Sequence, residues 1–184
     1  GLDAADHPEA PEGLPVTTTG GKFNRIPDLV RELQYLASHQ VEIGIFADAS
    51  RDGAVPMLVI AAANEFGAKI PKRQARFEDL DGENPEKWVI IPERSYLRAW
   101  FDENVDVLQA TMERLIGQVV EGKISGRTAL ETIGGYVVTH VQAYMVDLKT
   151  PPNAPSTIRR KGSSNPLIDT GQLKDSITWK VVPV

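Results

Sequence analysis

The chain has 184 residues, 41% of them hydrophobic, a formal net charge of −5 at pH 7 and no cysteine. The lack of cysteine excludes disulfides, thiolate catalysis and cysteine-containing zinc sites, and the acidic balance argues against a general nucleic-acid coat. No apolar run approaches the roughly 20 residues that span a bilayer, and the acidic, proline-rich beginning does not match a signal peptide, so we expect cytoplasmic synthesis and no membrane partner.

The beginning of the chain has the composition of an extended segment. Residues 1–22 contain prolines, glycines and a run of threonines but few apolar anchors. This composition predicts an extended arm over 1–22 that becomes ordered only by docking on a partner. The remaining residues, 23–184, are expected to form a single domain.

Periodic patterns predict three elements early in this domain. An apolar 3–4 spacing after a proline predicts an amphipathic helix over 27–38, and alternation over 41–45 predicts a strand with one buried face. A second, nearly all-apolar helix is expected to begin at Pro56 and to end at Gly67 as a left-handed C-cap.

The next segment is highly charged and has no periodicity, with five acids between Glu78 and Glu86. We expect a loop or hairpin inserted on the surface over 69–88, then a short strand to Ile91 that Pro92 closes. The acids lack the ligand order of an EF-hand, so a solvated loop is favoured over a cation site.

Two long helices are predicted in the second half. Apolar residues keep a 3–4 spacing over 96–121 and again over 126–149, and Ser125 is the expected N-cap of the second helix. The short connection makes the helices antiparallel neighbours, with Leu108 and Leu115 buried between them.

A mobile loop is predicted over 150–165, because prolines and glycines stop the second long helix there. It carries the basic cluster Arg159-Arg160-Lys161, which suits a phosphate or an acidic protein face, although a solvated loop explains it as well. Alternation over 177–182 predicts a terminal strand. The predicted fold class is α+β: a small antiparallel or mixed β-sheet packed against two long antiparallel helices, with the extended N-terminal arm.

The triplet Asp169-Thr170-Gly171 raises the question of catalysis, because aspartic proteases present their carboxylate in such a triplet. A protease needs two carboxylates sharing a proton, and only thirteen residues follow Gly171, too few to build a substrate cleft. We expect instead a helical turn with Asp169 and Gln172 as a capping box, Thr170 as a second candidate cap and Leu173 on the apolar face.

Other candidate features have structural interpretations. His7, His39 and His140 match no metal spacing, and no catalytic residue, cofactor or metal site is predicted. Gly134-Gly135 lies inside a predicted helix, where it would allow another backbone to approach closely or would permit a bend.

Four motifs together resemble one protein family. They are NEFG (64–67), IPERSYLRAWF (91–101), the Pro-Pro-Asn turn (151–153) and PLIDTGQLKDSI (166–177). In this order they resemble the small neck proteins of tailed bacteriophages, called head–tail joining or tail-completion proteins, over about 41–180. The insertion over 69–88 and the arm over 1–22 are additional to the family pattern.

The resemblance implies a structural virion protein without catalytic activity. Such proteins form homo-oligomeric rings, implied here as a hexamer or dodecamer, between portal or head connector proteins and tail terminator or tail tube proteins. DNA passes through the lumen of the ring. The basic cluster, Arg159–Lys161, would then meet an acidic ring surface or packaged DNA in the neck of the virion, after synthesis in the host bacterial cytoplasm.

Three alternatives remain open from the sequence. A tail terminator that caps the tail tube would carry the same motifs. A DNA-binding regulatory protein could use Arg159–Lys161 and would lose affinity steeply with salt. A hydrolase would depend on Asp169, whereas under the capping interpretation Asp169→Asn assembles almost normally, because asparagine also caps helices.

Overall fold

The computed structural model describes residues 25–47, 55–72 and 87–184. The predicted arm and the acid-rich part of the 69–88 insertion lie outside these ranges. The elements follow in the order α1 (Ile26–Ser38), β1 (His39–Gly44), α2 (Met57–Phe66), β2 (Ala68–Pro71), β3 (Trp88–Ile91), α3 (Leu97–Val120), α4 (Gly126–Asp147), α5 (Pro155–Lys161), α6 (Gln172–Asp175) and β4 (Thr178–Pro183).

The α+β class with two long helices is confirmed, but the strands form two separate antiparallel sheets within the described residues. β1 pairs with β4, with Val41 opposite Val181. β2 pairs with β3, with Ile70 opposite Val89, so the ends of the 69–88 insertion form a hairpin. The sequence predicted one sheet because periodicity identifies strands without their partners, and the start of the insertion lacked a strand pattern.

Helix α4 is the central element of the fold. It packs on α3, on α1 and on both strands of the β1–β4 sheet. Ser125 caps its N-terminus as predicted, accepting a hydrogen bond from the Thr128 N–H at 3.0 Å. The face of α4 that meets α3 and the sheet holds buried apolar side chains at helical spacing: Ile133, Val137, Val141 and Met145.

The apolar stripe predicted for α3 is divided between two faces of the helix. Leu108 and Leu115 are buried as expected, at 7% and 4% exposed, together with Trp100 and Val119. Four other residues of the predicted stripe form an exposed apolar row on α3. We define this row as Phe101, Val105, Met112 and Ile116, each 41–49% exposed. The 3–4 spacing could not separate these rows, because neighbouring positions such as 115 and 116 both satisfy it.

The sequence suggested that Gly134-Gly135 allows either the approach of another backbone or a bend, but at Gly134 the approaching group is a side chain. The Trp179 ring of β4 lies against α4 at this position, and a Cβ built on Gly134 would be 2.6 Å from Trp179 Cδ2. At Gly135 the nearest Trp179 atom, Nε1, would be 3.8 Å away, which is ordinary contact. The absent side chain at 134 therefore sets how closely the terminal strand packs on α4.

Alanine substitutions at the two adjacent glycines are expected to have opposite effects on the free energy of unfolding. Gly134→Ala forces Trp179 to move and should lower the free energy of unfolding by about 1–3 kcal/mol. Gly135→Ala meets no clash and improves helix propensity, so it should raise that free energy by about 0.5–1 kcal/mol. Urea unfolding of the two variants measures both values, and a stabilising Gly134→Ala would contradict the packing described here.

No helix in the described ranges combines the length and the apolar character needed to cross a bilayer.

Candidate functional site

The four motifs meet at the N-terminus of α3, where Glu65 of the NEFG motif caps a helix that begins 32 residues later in the chain. One carboxylate oxygen of Glu65 accepts hydrogen bonds from the N–H groups of Tyr96 and Leu97 at 2.9 and 3.1 Å. The other accepts from the Arg98 N–H at 3.0 Å and from Ser95 Oγ at 2.7 Å. These N–H groups are the ones that a helix leaves without intrahelical partners.

The electrostatics of Glu65 fit this capping role. Burial alone would raise the pKa of its carboxyl, but the hydrogen bonds from Leu97, Arg98, Ser95 and Tyr96 outweigh burial, and the pKa lies below its ordinary value. The side chain is ionised at neutral pH and lies at the positive end of the α3 dipole. With a further bond from Arg98 Nε at 3.1 Å, the carboxylate accepts five hydrogen bonds, which gives it a structural role at the start of α3.

Gly67 is needed at the end of the same motif, but not as the left-handed C-cap that the sequence predicted. Its φ of 74° is positive while its ψ of 164° is extended, so the chain leaves α2 directly into β2. A Cβ at Gly67 would be 3.1 Å from both the Ile91 carbonyl oxygen and the Glu93 nitrogen. Glycine therefore allows α2 to pack against the segment around Pro92, which follows β3 as predicted.

Arg94 of the IPER motif joins the Pro-Pro-Asn turn to this cap. Its Nε donates to the Pro151 carbonyl at 2.7 Å, and one terminal nitrogen donates to the Pro152 carbonyl at 3.1 Å and to Asn153 Oδ1 at 3.3 Å. Its backbone N–H donates to the Asn64 carbonyl at 2.8 Å. Arg94 is 6% exposed, so its guanidinium is used inside the fold.

The last motif is attached through asparagines. Asn153 Nδ2 donates to the Asn165 carbonyl at 3.2 Å. Asn165 Oδ1 accepts from the N–H groups of Leu167 and Ile168, both at 3.1 Å, and its Nδ2 donates to the Val146 carbonyl at 2.8 Å. All four motifs therefore belong to one hydrogen-bonded scaffold around the start of α3.

The Asp169-Thr170-Gly171 triplet begins a helical turn as expected, but the capping box is wrong. The N-cap of α6 is Gly171, with φ of 87°, and no side chain caps it. The nearest substitute is Thr170 Oγ1, 3.4 Å from the Gln172 N–H, which is a weak contact. The left-handed turn at Gly171 separates Asp169 from the helix axis, while Leu173 is buried as predicted.

The basic cluster lies on α5, where the sequence predicted a loop. Arg159 and Arg160 are exposed in its last turn. Lys161 is turned inward, and its Nζ donates to the Asn165 and Pro166 carbonyls at 2.8 and 3.4 Å. Burial lowers the pKa of Lys161, the Asp169 carboxylate partly opposes this, and Arg94 adds to it. Sequence alone could not distinguish this structural lysine from its exposed neighbours.

A groove of about 860 Å³ brings several predicted residues together. Its lining comes from α2, β3, α5 and the segment 166–173. Among the predicted site residues, those that line it are Pro92, Arg160, Lys161, Asp169, Thr170, Gly171 and Leu173. Arg159 and Gly67 are not part of its lining. The groove therefore joins the basic cluster to the Asp-Thr-Gly motif, which the sequence had treated separately.

The histidines in the described ranges contact their own local segments. Among the described residues, no cluster of three or more histidine and carboxylate side chains could hold a metal ion. His39 and His140 each place Nδ1 within 3.0 Å of the carbonyl of the residue four positions earlier. The His39 ring stacks on Tyr35, and the His140 ring packs on Tyr136 at a tilt of 34°. His7 lies outside the described residues.

Sequence reasoning missed Glu65, Arg94, Asn153 and Asn165 as the residues that hold the motifs together. All four lie within or next to the recognised motifs, but their partners are at least twelve residues away in the chain or inside irregular segments. No periodic pattern reports such bonds.

Comparisons with protein-family models, with curated proteins and with solved structures gave no match to this chain.

Proposed function

We propose that the chain is a structural subunit of the neck of a tailed bacteriophage, forming a ring at the head–tail junction that joins the portal to the tail. The observation that carries this proposal is the scaffold around α3, in which Glu65, Arg94 and Asn165 connect all four motifs of the resemblance. The motifs serve to fix one architecture, as expected of a protein whose role is mechanical.

The exposed apolar row on α3 supports assembly. Four large apolar side chains at 41–49% exposure lie along a helix of 24 residues, about 36 Å long. Several exposed large apolar side chains on one side of a helix are typical of a surface that meets another protein. In a ring each subunit offers two different faces, and the head-to-tail contacts close by rotation.

The exposed arginines of α5 supply a second contact. Arg159 and Arg160 project from a chain that is acidic overall, with a net charge of −5. They suit an acidic face of a neighbouring ring or the phosphates of DNA in the lumen. Lys161 is excluded from this role because its ammonium is bonded to backbone carbonyls within the subunit.

A joining assay tests the proposal. Phage particles assembled without this chain should accumulate as separate filled heads and tails, and the purified chain should restore joined particles. Binding to tails alone would favour the tail-terminator alternative. Salt-sensitive retention on duplex DNA, without any joining, would favour the DNA-binding alternative. Heads and tails that join equally well without the chain would contradict the proposal.

The α5 contact has its own test in the same assay. We expect Arg159→Ala/Arg160→Ala to reduce the yield of joined particles at least tenfold while the urea midpoint stays unchanged. The matched control, Arg31→Ala/Lys123→Ala, removes the same charge from exposed positions elsewhere and should join normally. Normal joining by the Arg159/Arg160 variant would show that α5 does not contact the neck.

A further inference from the structure

The groove beside α5 has the features of a site for an extended, acidic segment. Apolar side chains from α2 and β3 line one wall, including Met57, Ile60 and Ile90. Exposed Arg160 also lines the groove, and Arg159 precedes it on α5. Within the described residues β3 pairs only with β2, so its outer edge is not covered by another strand.

The N-terminal arm has the complementary chemistry. Its acids recur at every third residue, at Asp3, Asp6, Glu9 and Glu12. A polyproline II helix has three residues per turn and a rise of about 3.1 Å per residue, so in that conformation the four carboxylates would form one row about 28 Å long. Pro8 and Pro11 favour this conformation and oppose an α-helix.

Arg25, the first described residue after the arm, and the groove lie at opposite ends of α3. Arg25, where the described part of the chain begins, donates a hydrogen bond to the Glu121 carbonyl, just after the last residue of α3. The groove includes Arg94, just before the first residue of α3. With 24 residues in α3, the two ends are about 36 Å apart.

This separation favours binding of the arm to a groove on another subunit. Residues 13–24 span at most about 43 Å when fully extended, so the acidic row could reach its own groove only along a nearly fully extended chain. A head-to-tail neighbour presents its groove without that constraint, and the same contact repeated around a ring closes it.

We infer that the groove of each subunit binds the acidic segment 3–12 of a second copy of this chain, with the carboxylate row facing Arg160 and Arg159. This inference rests on the proposed ring, because a closed ring is the assembly in which every arm finds a neighbouring groove. The arm thereby fastens one subunit to the next.

Disulfide cross-linking of full-length chains tests the inference, since the chain has no cysteine of its own. An Ala10→Cys chain is mixed with a Ser156→Cys chain, whose new thiol lies in the exposed groove wall, and the mixture is oxidised. We expect at least ten times more mixed dimer than with the control chain Thr139→Cys, which carries its thiol at an exposed position on α4. A yield equal to that of the control would overturn the inference.

Charge reversal tests the recognition itself. Arg160→Glu in the Ser156→Cys chain should lower the yield of mixed dimer about tenfold, and Glu9→Lys/Glu12→Lys in the Ala10→Cys chain should restore it. A chain with both cysteines should give a ladder of linked subunits. Internal disulfides in monomers would show that each arm binds its own groove, which would contradict the inference.

The cross-linking experiment and the joining assay can fail independently of each other. Normal joining of heads to tails, combined with control-level cross-linking, would reject the arm contact and leave the neck role intact. Strong cross-linking with no joining activity would support the contact and reject the neck role.

Discussion

Replacement of Glu65 by alanine is expected to lower the free energy of unfolding by about 2–4 kcal/mol, the effect of removing a buried charged cap. The variant leaves the N–H groups of Tyr96, Leu97 and Arg98 without their acceptor at the start of α3. It also removes the side-chain link between α2 and α3, although backbone carbonyls of Asn64 and Glu65 still accept from Arg94 and Arg98. Urea unfolding followed by circular dichroism measures the loss.

Two variants serve as controls for Glu65→Ala. Glu65→Gln keeps an acceptor oxygen but not the charge, so its free energy of unfolding should fall by about half as much as that of Glu65→Ala. Glu93→Ala removes an exposed carboxylate that pairs with Arg98 at 2.7 Å, and its effect should stay within about 0.5 kcal/mol. A Glu65→Ala loss no larger than that of Glu93→Ala would contradict the capping role.

The pH dependence of Glu65 has a definite sign. Its pKa in the folded chain lies below the ordinary value of 4.5, so protons bind more tightly to the unfolded state. The stabilisation by Glu65 is therefore complete above pH 4.5 and is lost as pH falls through the folded pKa. The difference in unfolding free energy between the natural chain and Glu65→Gln should shrink below pH 4.5, and a constant difference would contradict this assignment.

Replacement of Leu115 by alanine is expected to cost about 2–5 kcal/mol of the free energy of unfolding. Leu115 is 4% exposed between α3 and α4, and truncation leaves a cavity at the centre of the helix pair. The change should be visible as a lower urea midpoint with an unchanged slope. A midpoint equal to that of the natural chain would mean that the two helices do not pack through this row.

The adjacent residue, Ile116, provides a matched comparison. It is 46% exposed and belongs to the exposed apolar row, so Ile116→Ala should change the stability of the isolated subunit by no more than about 0.5 kcal/mol. If this row meets a neighbouring subunit, the same variant should weaken assembly. If Ile116→Ala is as stable as the natural chain and joins heads to tails equally well, the exposed apolar row faces solvent and not a neighbouring subunit.

The long elements could be predicted from sequence because their signals are local. The 3–4 spacing of apolar residues located α3 and α4, Ser125 was recognised as a cap, and alternation located β4. These patterns depend on which side chains share a face within one helix or strand. Leu108 and Leu115 were therefore assigned to the core correctly.

The rest of the fold depends on contacts between distant segments. The pairing of β1 with β4, the packing of Trp179 on Gly134 and the capping of α3 by Glu65 each join residues that lie thirty or more positions apart. The candidate site was predicted in pieces for the same reason. Arg160 and Asp169 were named from the sequence, but their common groove also depends on bonds that a pattern does not report, such as those of Lys161 on α5 to the Asn165 and Pro166 carbonyls.

The copy number of this chain in purified virions tests the central claim most directly. Quantitative mass spectrometry against a portal protein of known copy number gives the value, and gold labelling gives the position along the particle. We expect six or twelve copies, all at the junction between head and tail. Absence of the chain from complete particles, or a copy number incompatible with a closed ring, would contradict the account.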